Sequence, residues 1–76
     1  MPRYYFDFDD DADGPDDTGV ELPDLATAVA EARNTAAEIV GEQARQGLFQ
    51  TIAISIREGS RPAATVTISW DQTVEP

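Results

Sequence analysis

The sequence predicts a two-layer α+β domain in which one helix packs on a mostly antiparallel sheet of three or four strands, in the order β-β-α-β-β. Two observations carry this prediction. Four segments alternate apolar and polar residues, as half-buried strands do, and they form two pairs joined by turn-forming residues. Between the pairs lies one segment with the spacing of an amphipathic helix. Each element has a single apolar side, so one helix on one sheet face buries all of them.

The first predicted strand covers residues 3–9. Its aromatic residues on one side alternate with polar residues on the other, which is typical of a strand. We expect the inward side to carry Tyr4, Phe6 and Phe8. By the same alternation, Tyr5 lies on the opposite face of the sheet.

A loop and a shorter strand complete the first pair. Residues 9–17 consist almost entirely of turn formers, with Gly-Pro in the middle. The strand that follows is predicted over residues 18–22, with Val20 and Leu22 facing the core. Gly19 within it predicts a bulge or a positive φ angle.

The helix is predicted over residues 25–46. Asp24 is a favourable N-cap, and its charge suits the positive end of a helix. Gly47 is the expected stop. The apolar positions between them follow helical spacing: Leu25, Val29, Ala32, Ala36, Ile39 and Val40.

The second strand pair is predicted over residues 51–57 and 64–70, joined by a turn at residues 58–61. Its inward positions are Ile52, Ile54, Ile56, Val66, Ile68 and Trp70. We expect residues 1–76 to form a single domain, with residues 71–76 as a mobile tail.

The charge of the chain excludes several classes of partner. Fifteen acidic residues against five arginines give a net charge of −10, and residues 1–24 hold nine of those acids with one arginine. Phosphate contacts need clustered cations, so we expect neither nucleic-acid binding nor attachment to anionic membranes. No signal-peptide pattern is present, and we expect a cytoplasmic protein.

The composition also argues against an enzyme. The chain has no His, Lys or Cys, so no ordinary nucleophilic triad and no thiolate metal site can form. Asp7, Glu21 and Asp24 are the acids that could serve as an acid/base pair, yet Asp24 is expected to cap the helix and Asp7 to face outward. We therefore predict no catalytic residues and no cofactor.

The acidic loop resembles part of a calcium-binding loop. Asp9, Asp11 and Asp13, followed by Gly14, match its first positions, and alternate carboxylates can converge on a hard cation. The twelfth position holds Val20 instead of a bidentate Glu. A solvated acidic turn is the preferred interpretation, and a weak cation site is the alternative.

The beginning of the chain and the helix entry carry a resemblance to a known family. The residues concerned are Met1-Pro2-Arg3-Tyr4-Tyr5-Phe6-Asp7, the turn Asp16-Asp17-Thr18-Gly19 and the entry Gly19-Val20-Glu21-Leu22-Pro23-Asp24-Leu25. They resemble a bacterial family of short single-domain proteins of unknown function, and the resemblance covers nearly the whole chain. It implies the fold and a bacterial source, and it implies no activity. A shorter stretch, Pro23-Asp24-Leu25 with Ala28 and Ala32, is similar to antitoxin domains.

We therefore expect a small, non-enzymatic protein-interaction module, whose partner is another protein or a second copy of the chain. Tyr5, on the weakly polar outer sheet face, is the candidate interaction residue. Two alternatives remain open. The first is an acidic, antitoxin-like or nucleic-acid-mimicking inhibitor of a basic partner, and the second is a weak calcium-binding module.

Overall fold

A computed structural model of the chain describes residues 1–8, 14–48 and 51–75. One helix packs on a four-stranded antiparallel sheet, which confirms the predicted α+β class and the order β-β-α-β-β. The elements are β1 (Arg3–Phe8), β2 (Val20–Glu21), α1 (Leu25–Arg45), β3 (Ile52–Glu58) and β4 (Arg61–Ile68).

The strands are arranged in the order β2-β1-β3-β4, so the N-terminal strand lies inside the sheet. Each hairpin forms as its sequence predicts, and the two hairpins meet where β1 pairs antiparallel with β3. In that pairing Phe6 lies opposite Ile56 and Phe8 lies opposite Ile54. The aromatic side of β1 and the isoleucine side of β3 thus share one face of the sheet.

Local signals set both ends of α1. A carboxylate oxygen of Asp24 accepts a hydrogen bond from the Thr27 N–H at 2.8 Å and a second from the Thr27 hydroxyl at 2.7 Å. At the other end the Gly47 N–H donates to the carbonyl of Ala44 at 3.0 Å, so the chain leaves the helix at the predicted glycine.

Small residues bring the helix close to the sheet. The buried core consists of Tyr4, Ala28, Ala32, Ala36, Val40, Ile52, Ile54 and Ile56. The buried alanines follow a four-residue spacing, which forms one row along the helix. Because an alanine row projects little, the helix backbone lies close above the isoleucines of β3.

The structure corrects two predicted core positions. Leu25 is 38% exposed, because it is the first residue of α1 and lies at the end of the helix. Val20 is 42% exposed, because β2 is the outer strand on the side of the sheet that α1 does not cover.

Two strands, β2 and β4, differ from the prediction by more than one residue at an end. β2 has only two residues, since its pairing with β1 is confined to the partners of Arg3 and Tyr4. β4 begins at Arg61, directly after a tight turn, and ends at Ile68. Trp70 therefore lies beyond the strand, although it still packs against the core. Among the described residues, no helix combines the length and apolarity needed to cross a membrane.

Candidate functional site

A carboxylate–arginine cluster occupies the outer face of the sheet, on the side opposite α1. Arg57 of β3 donates from Nε to Asp7 of β1 at 2.8 Å, and both side chains are about three-quarters buried, with 26% and 25% of their surface exposed. The guanidinium also donates to the carbonyl of Gly59 at 2.8 Å and to the carbonyl of Asp16. Arg57 thus joins β1, the turn after β3 and the segment before β2.

Asp16 attaches that segment to the edge of β1. β2 pairs only with the first half of β1, so no residue of β2 lies opposite the Phe6 N–H. The Asp16 carboxylate accepts this N–H at 3.1 Å, and its other oxygen accepts the N–H groups of Thr18 and Gly19. The Asp16 N–H in turn donates to Asp7 at 2.8 Å. A side chain therefore replaces the missing strand pairing.

These contacts keep the cluster ionised. The hydrogen bond from Arg57 lowers the pKa of Asp7, and the same bond raises the pKa of Arg57. Partial burial raises the pKa of Asp16, but the N–H donors of Thr18, Phe6 and Gly19 outweigh it, and the pKa is lowered overall. Carboxylates held in this way accept hydrogen bonds as anions and are poor proton donors at neutral pH.

Tyr5, the predicted interaction residue, lies inside this cluster and is half-buried. The Arg57 guanidinium carbon lies 4.5 Å from the centre of the Tyr5 ring, a cation–π distance. The backbone of Gly19, with a φ of +70°, lies so close to the ring that a Cβ there would be 2.8 Å from Cε2. The ring thus has intramolecular partners on the face that was expected to be bare.

The three acids that the sequence offered as an acid/base pair each form a separate structural contact. Glu21 forms an ion pair with Arg3 at 3.4 Å, while Asp24 caps α1. Asp7 is held by Arg57. Each of the three candidate acids therefore has its own structural partner.

The cation interpretation cannot be carried onto the structure. The candidate ligands Asp9, Asp11 and Asp13 lie outside the described residues. Within residues 1–8, 14–48 and 51–75, no group of three or more acidic residues could hold a metal ion.

An apolar groove, which the sequence did not reveal, opens on the inner face of the sheet beside the helix. α1 lies over β3 and β4, so the helix leaves the inner face of β1 and β2 partly uncovered. The resulting cavity has a volume of about 250 Å³. We call it the β1–β2 groove, and its lining residues are Phe6, Phe8, Val20, Leu22, Glu31, Ala32, Thr35 and Ile54.

The walls of the groove differ in chemistry. The sheet wall carries Phe6 and Phe8, both half-buried, together with the exposed Val20. The helix wall carries Ala32, which is buried, and the exposed Glu31 and Thr35. An apolar floor with polar groups at one rim is suited to binding a partner side chain.

The comparisons with known proteins identify a family and no activity. No curated protein matches the chain, and no solved structure matches it. The model of the family DUF6894, a domain of unknown function, matches residues 3–69, which include every strand and the helix described above. This confirms the resemblance to a family of unknown function. The chain therefore belongs to the DUF6894 family.

Proposed function

We propose that this protein is a non-enzymatic module that binds another protein through the β1–β2 groove. The observation that carries the proposal is the position of α1 over β3 and β4, which leaves aromatic side chains of β1 beside an open cavity of about 250 Å³. Apolar surface that the fold leaves accessible, rimmed by polar residues, is typical of an interaction site.

Composition and geometry support a binding role over catalysis. The chain lacks His, Lys and Cys, and the acids near the ends of its elements are held by Arg57, Arg3 and the α1 N-terminus. Among the described residues, the groove is lined by one acid, Glu31, and by mostly apolar side chains. Such a lining favours burial of an apolar side chain over chemistry on a bound substrate.

The proposal extends to the setting of the protein. The beginning of the chain, Met1-Pro2-Arg3-Tyr4-Tyr5-Phe6-Asp7, supports a bacterial source, and the absence of cysteine is compatible with a cytoplasmic location. The net charge of −10 argues against nucleic acid and anionic lipid as partners.

Affinity capture with matched variants tests the proposal. Val20→Glu and Thr35→Arg each introduce a charge at an exposed position that lines the groove. Val74→Glu and Thr67→Arg make the same exchanges at exposed positions that do not line it. All four variants are first compared with the wild-type protein for their melting temperature.

We expect the wild-type protein and the two control variants to retain the same partner from a lysate of the source cells, and the two groove variants to lose it. Retention of that partner by both folded groove variants would contradict a docking role for the groove. Loss from both control variants as well would contradict a docking site confined to the groove, because these variants change the net charge in opposite directions.

A further inference from the structure

The side of α1 that borders the β1–β2 groove carries three acidic residues, one of which lines the groove. Glu31 lines the groove, and Glu38 and Glu42 follow it by close to two and three whole helical turns. All three are exposed. Glu42 forms an ion pair with Arg45 at 2.7 Å, whereas Glu31 and Glu38 form no ion pair with another described residue. Two uncompensated carboxylates thus remain on this side of α1.

The arginines of the described residues do not neutralise this side. Arg33 follows Glu31 by two residues, which turns it about 200° around the helix. Arg57 lies in the cluster on the outer sheet face, and Arg61 lies at the start of β4, paired with Glu58 at 3.3 Å. Arg3 and Arg45 are each paired with a glutamate, so the unpaired carboxylates of Glu31 and Glu38 make the field beside the groove negative.

The described residues of the opposite wall are apolar. Glu21 lies between Val20 and Leu22, but it pairs with Arg3 and, by strand alternation, faces the outer side of the sheet. An apolar side chain that enters the groove therefore passes the carboxylate of Glu31 on the helix side, and the residues that flank it there are best matched by cations.

The size of the cavity limits what enters it. A volume of about 250 Å³ is below the range of about 300–1,000 Å³ for small-molecule sites. It is suited to one or two large apolar side chains of a partner, which act as the anchor of a protein interface.

A second copy of the chain is a poor occupant. A symmetric dimer through this groove would bring the acidic wall of one copy toward that of the other, in molecules that each carry a net charge of −10. Like-charge contacts of this kind oppose association.

We infer that the partner presents a basic segment in which arginine or lysine residues flank one or two large apolar side chains, and that these side chains occupy the β1–β2 groove. This inference rests on the proposed docking function of the groove. The apolar anchor supplies affinity, and the acidic helix side of the groove favours cationic residues next to the anchor.

Three synthetic peptides test this inference on the full chain by NMR titration. The first has two leucines flanked by arginines, the second has serines in place of the leucines, and the third has glutamines in place of the arginines. We expect only the first to bind tightly, with the largest amide shifts at Phe8, Val20 and Thr35. Its dissociation constant should rise by about threefold or more between low and high salt.

Charge variants of the protein provide the matched control. Glu31→Gln with Glu38→Gln removes the two uncompensated acids of the helix wall and should weaken binding of the first peptide by about threefold or more. Asp71→Asn with Glu75→Gln removes the same charge from the segment after β4 and should leave the dissociation constant within about twofold.

The outcomes test the basic character of the partner and the apolar anchor separately. Equal binding of the arginine and glutamine peptides, insensitive to salt and to the helix-wall variant, would overturn the basic partner and leave the groove as a docking site. Equal binding of the leucine and serine peptides would show charge attraction alone and overturn the anchor. No shift at groove residues with any peptide would overturn the inference and the proposed function together.

Discussion

Nε of Arg57 lies 2.8 Å from a carboxylate oxygen of Asp7, although the two residues are 50 positions apart in the chain. Asp7 also accepts the N–H of Asp16, and Arg57 donates to the carbonyl of the same residue. One ion pair therefore fastens the segment before β2 to the two central strands. These charged hydrogen bonds attach the segment before β2 to the outer face of the sheet. The buried core lies on the opposite face, under α1.

Replacing Arg57 with alanine is expected to lower the melting temperature by roughly 5–15 °C, because the three-quarters-buried Asp7 loses its cationic partner and two carbonyls lose their guanidinium donor. Arg57→Lys should recover only part of the loss, since an ammonium cannot reproduce the planar fork. Thermal unfolding followed by circular dichroism measures both effects.

Arg61→Ala is the matched control. Arg61 forms its ion pair with Glu58 while 80% exposed, so the shift should stay within about 3 °C. Equal shifts for the two alanine variants would show that the cluster contributes no more than an ordinary surface pair.

Acid is expected to weaken the fold through Asp7 and Asp16. The pKa of each carboxyl lies below its ordinary value of 3.8 in the folded protein, so the unfolded chain binds protons more readily. The stability that these groups contribute is fully present above the unfolded pKa and is lost as the pH falls through the folded pKa. Urea unfolding between pH 7 and pH 2.5 should show this loss beginning near pH 4.

A variant separates this contribution from the general charge. Protonation of the other acids relieves repulsion in a chain of net charge −10 and acts in the opposite direction. Asp16→Asn should therefore lose less free energy of unfolding than the wild type over the same acid range, whereas Asp17→Asn at an exposed neighbouring position should follow the wild type. An Asp16→Asn curve parallel to the wild type would contradict the assignment.

Gly19→Ala is expected to reduce the free energy of unfolding by about 2–4 kcal/mol. Two effects add at this position, because φ is +70° and the new Cβ would lie 2.8 Å from the Tyr5 ring. Gly59→Ala isolates the first effect, since φ is +63° but nothing lies within 4 Å of its Cβ. Its loss should be about 1 kcal/mol in urea unfolding. Equal losses would mean that the Tyr5 ring moves freely away from Gly19.

The parts of the fold that local chemistry determines could be predicted from the sequence. Asp24 and Gly47 set the ends of α1 through contacts with residues three or four positions away. Strict alternation likewise predicted that Ile52, Ile54 and Ile56 face the helix, as they do. The ends of the helix depend on contacts between residues that are near in sequence. The two-residue period of a strand allows only one assignment of its buried side.

The candidate site depends on strand order, which the sequence left open. The Asp7–Arg57 contact and the uncovered β1–β2 groove both follow from the pairing of β1 with β3. The available signal was an arginine on the outward side of one predicted strand and an aspartate on the outward side of another. Charge complementarity makes that pair plausible, but it does not show which strands are neighbours.

Filling the groove should stabilise the protein and prevent partner binding. Thr35 is exposed and lines the cavity, so Thr35→Leu would place an apolar side chain in the space beside Phe6 and Phe8. Asn34→Leu is the control, since it brings a similar gain in helix propensity at an exposed position outside the groove.

We expect Thr35→Leu to exceed Asn34→Leu by about 0.5–1.5 kcal/mol in the free energy of unfolding, because only the first buries its added side chain. The arginine–leucine peptide should bind Asn34→Leu as it binds the wild type and should no longer shift the groove amides of Thr35→Leu. Equal stability of the two variants would mean that a leucine at position 35 stays in solvent. Unchanged peptide binding by Thr35→Leu would place the docking surface elsewhere on the molecule.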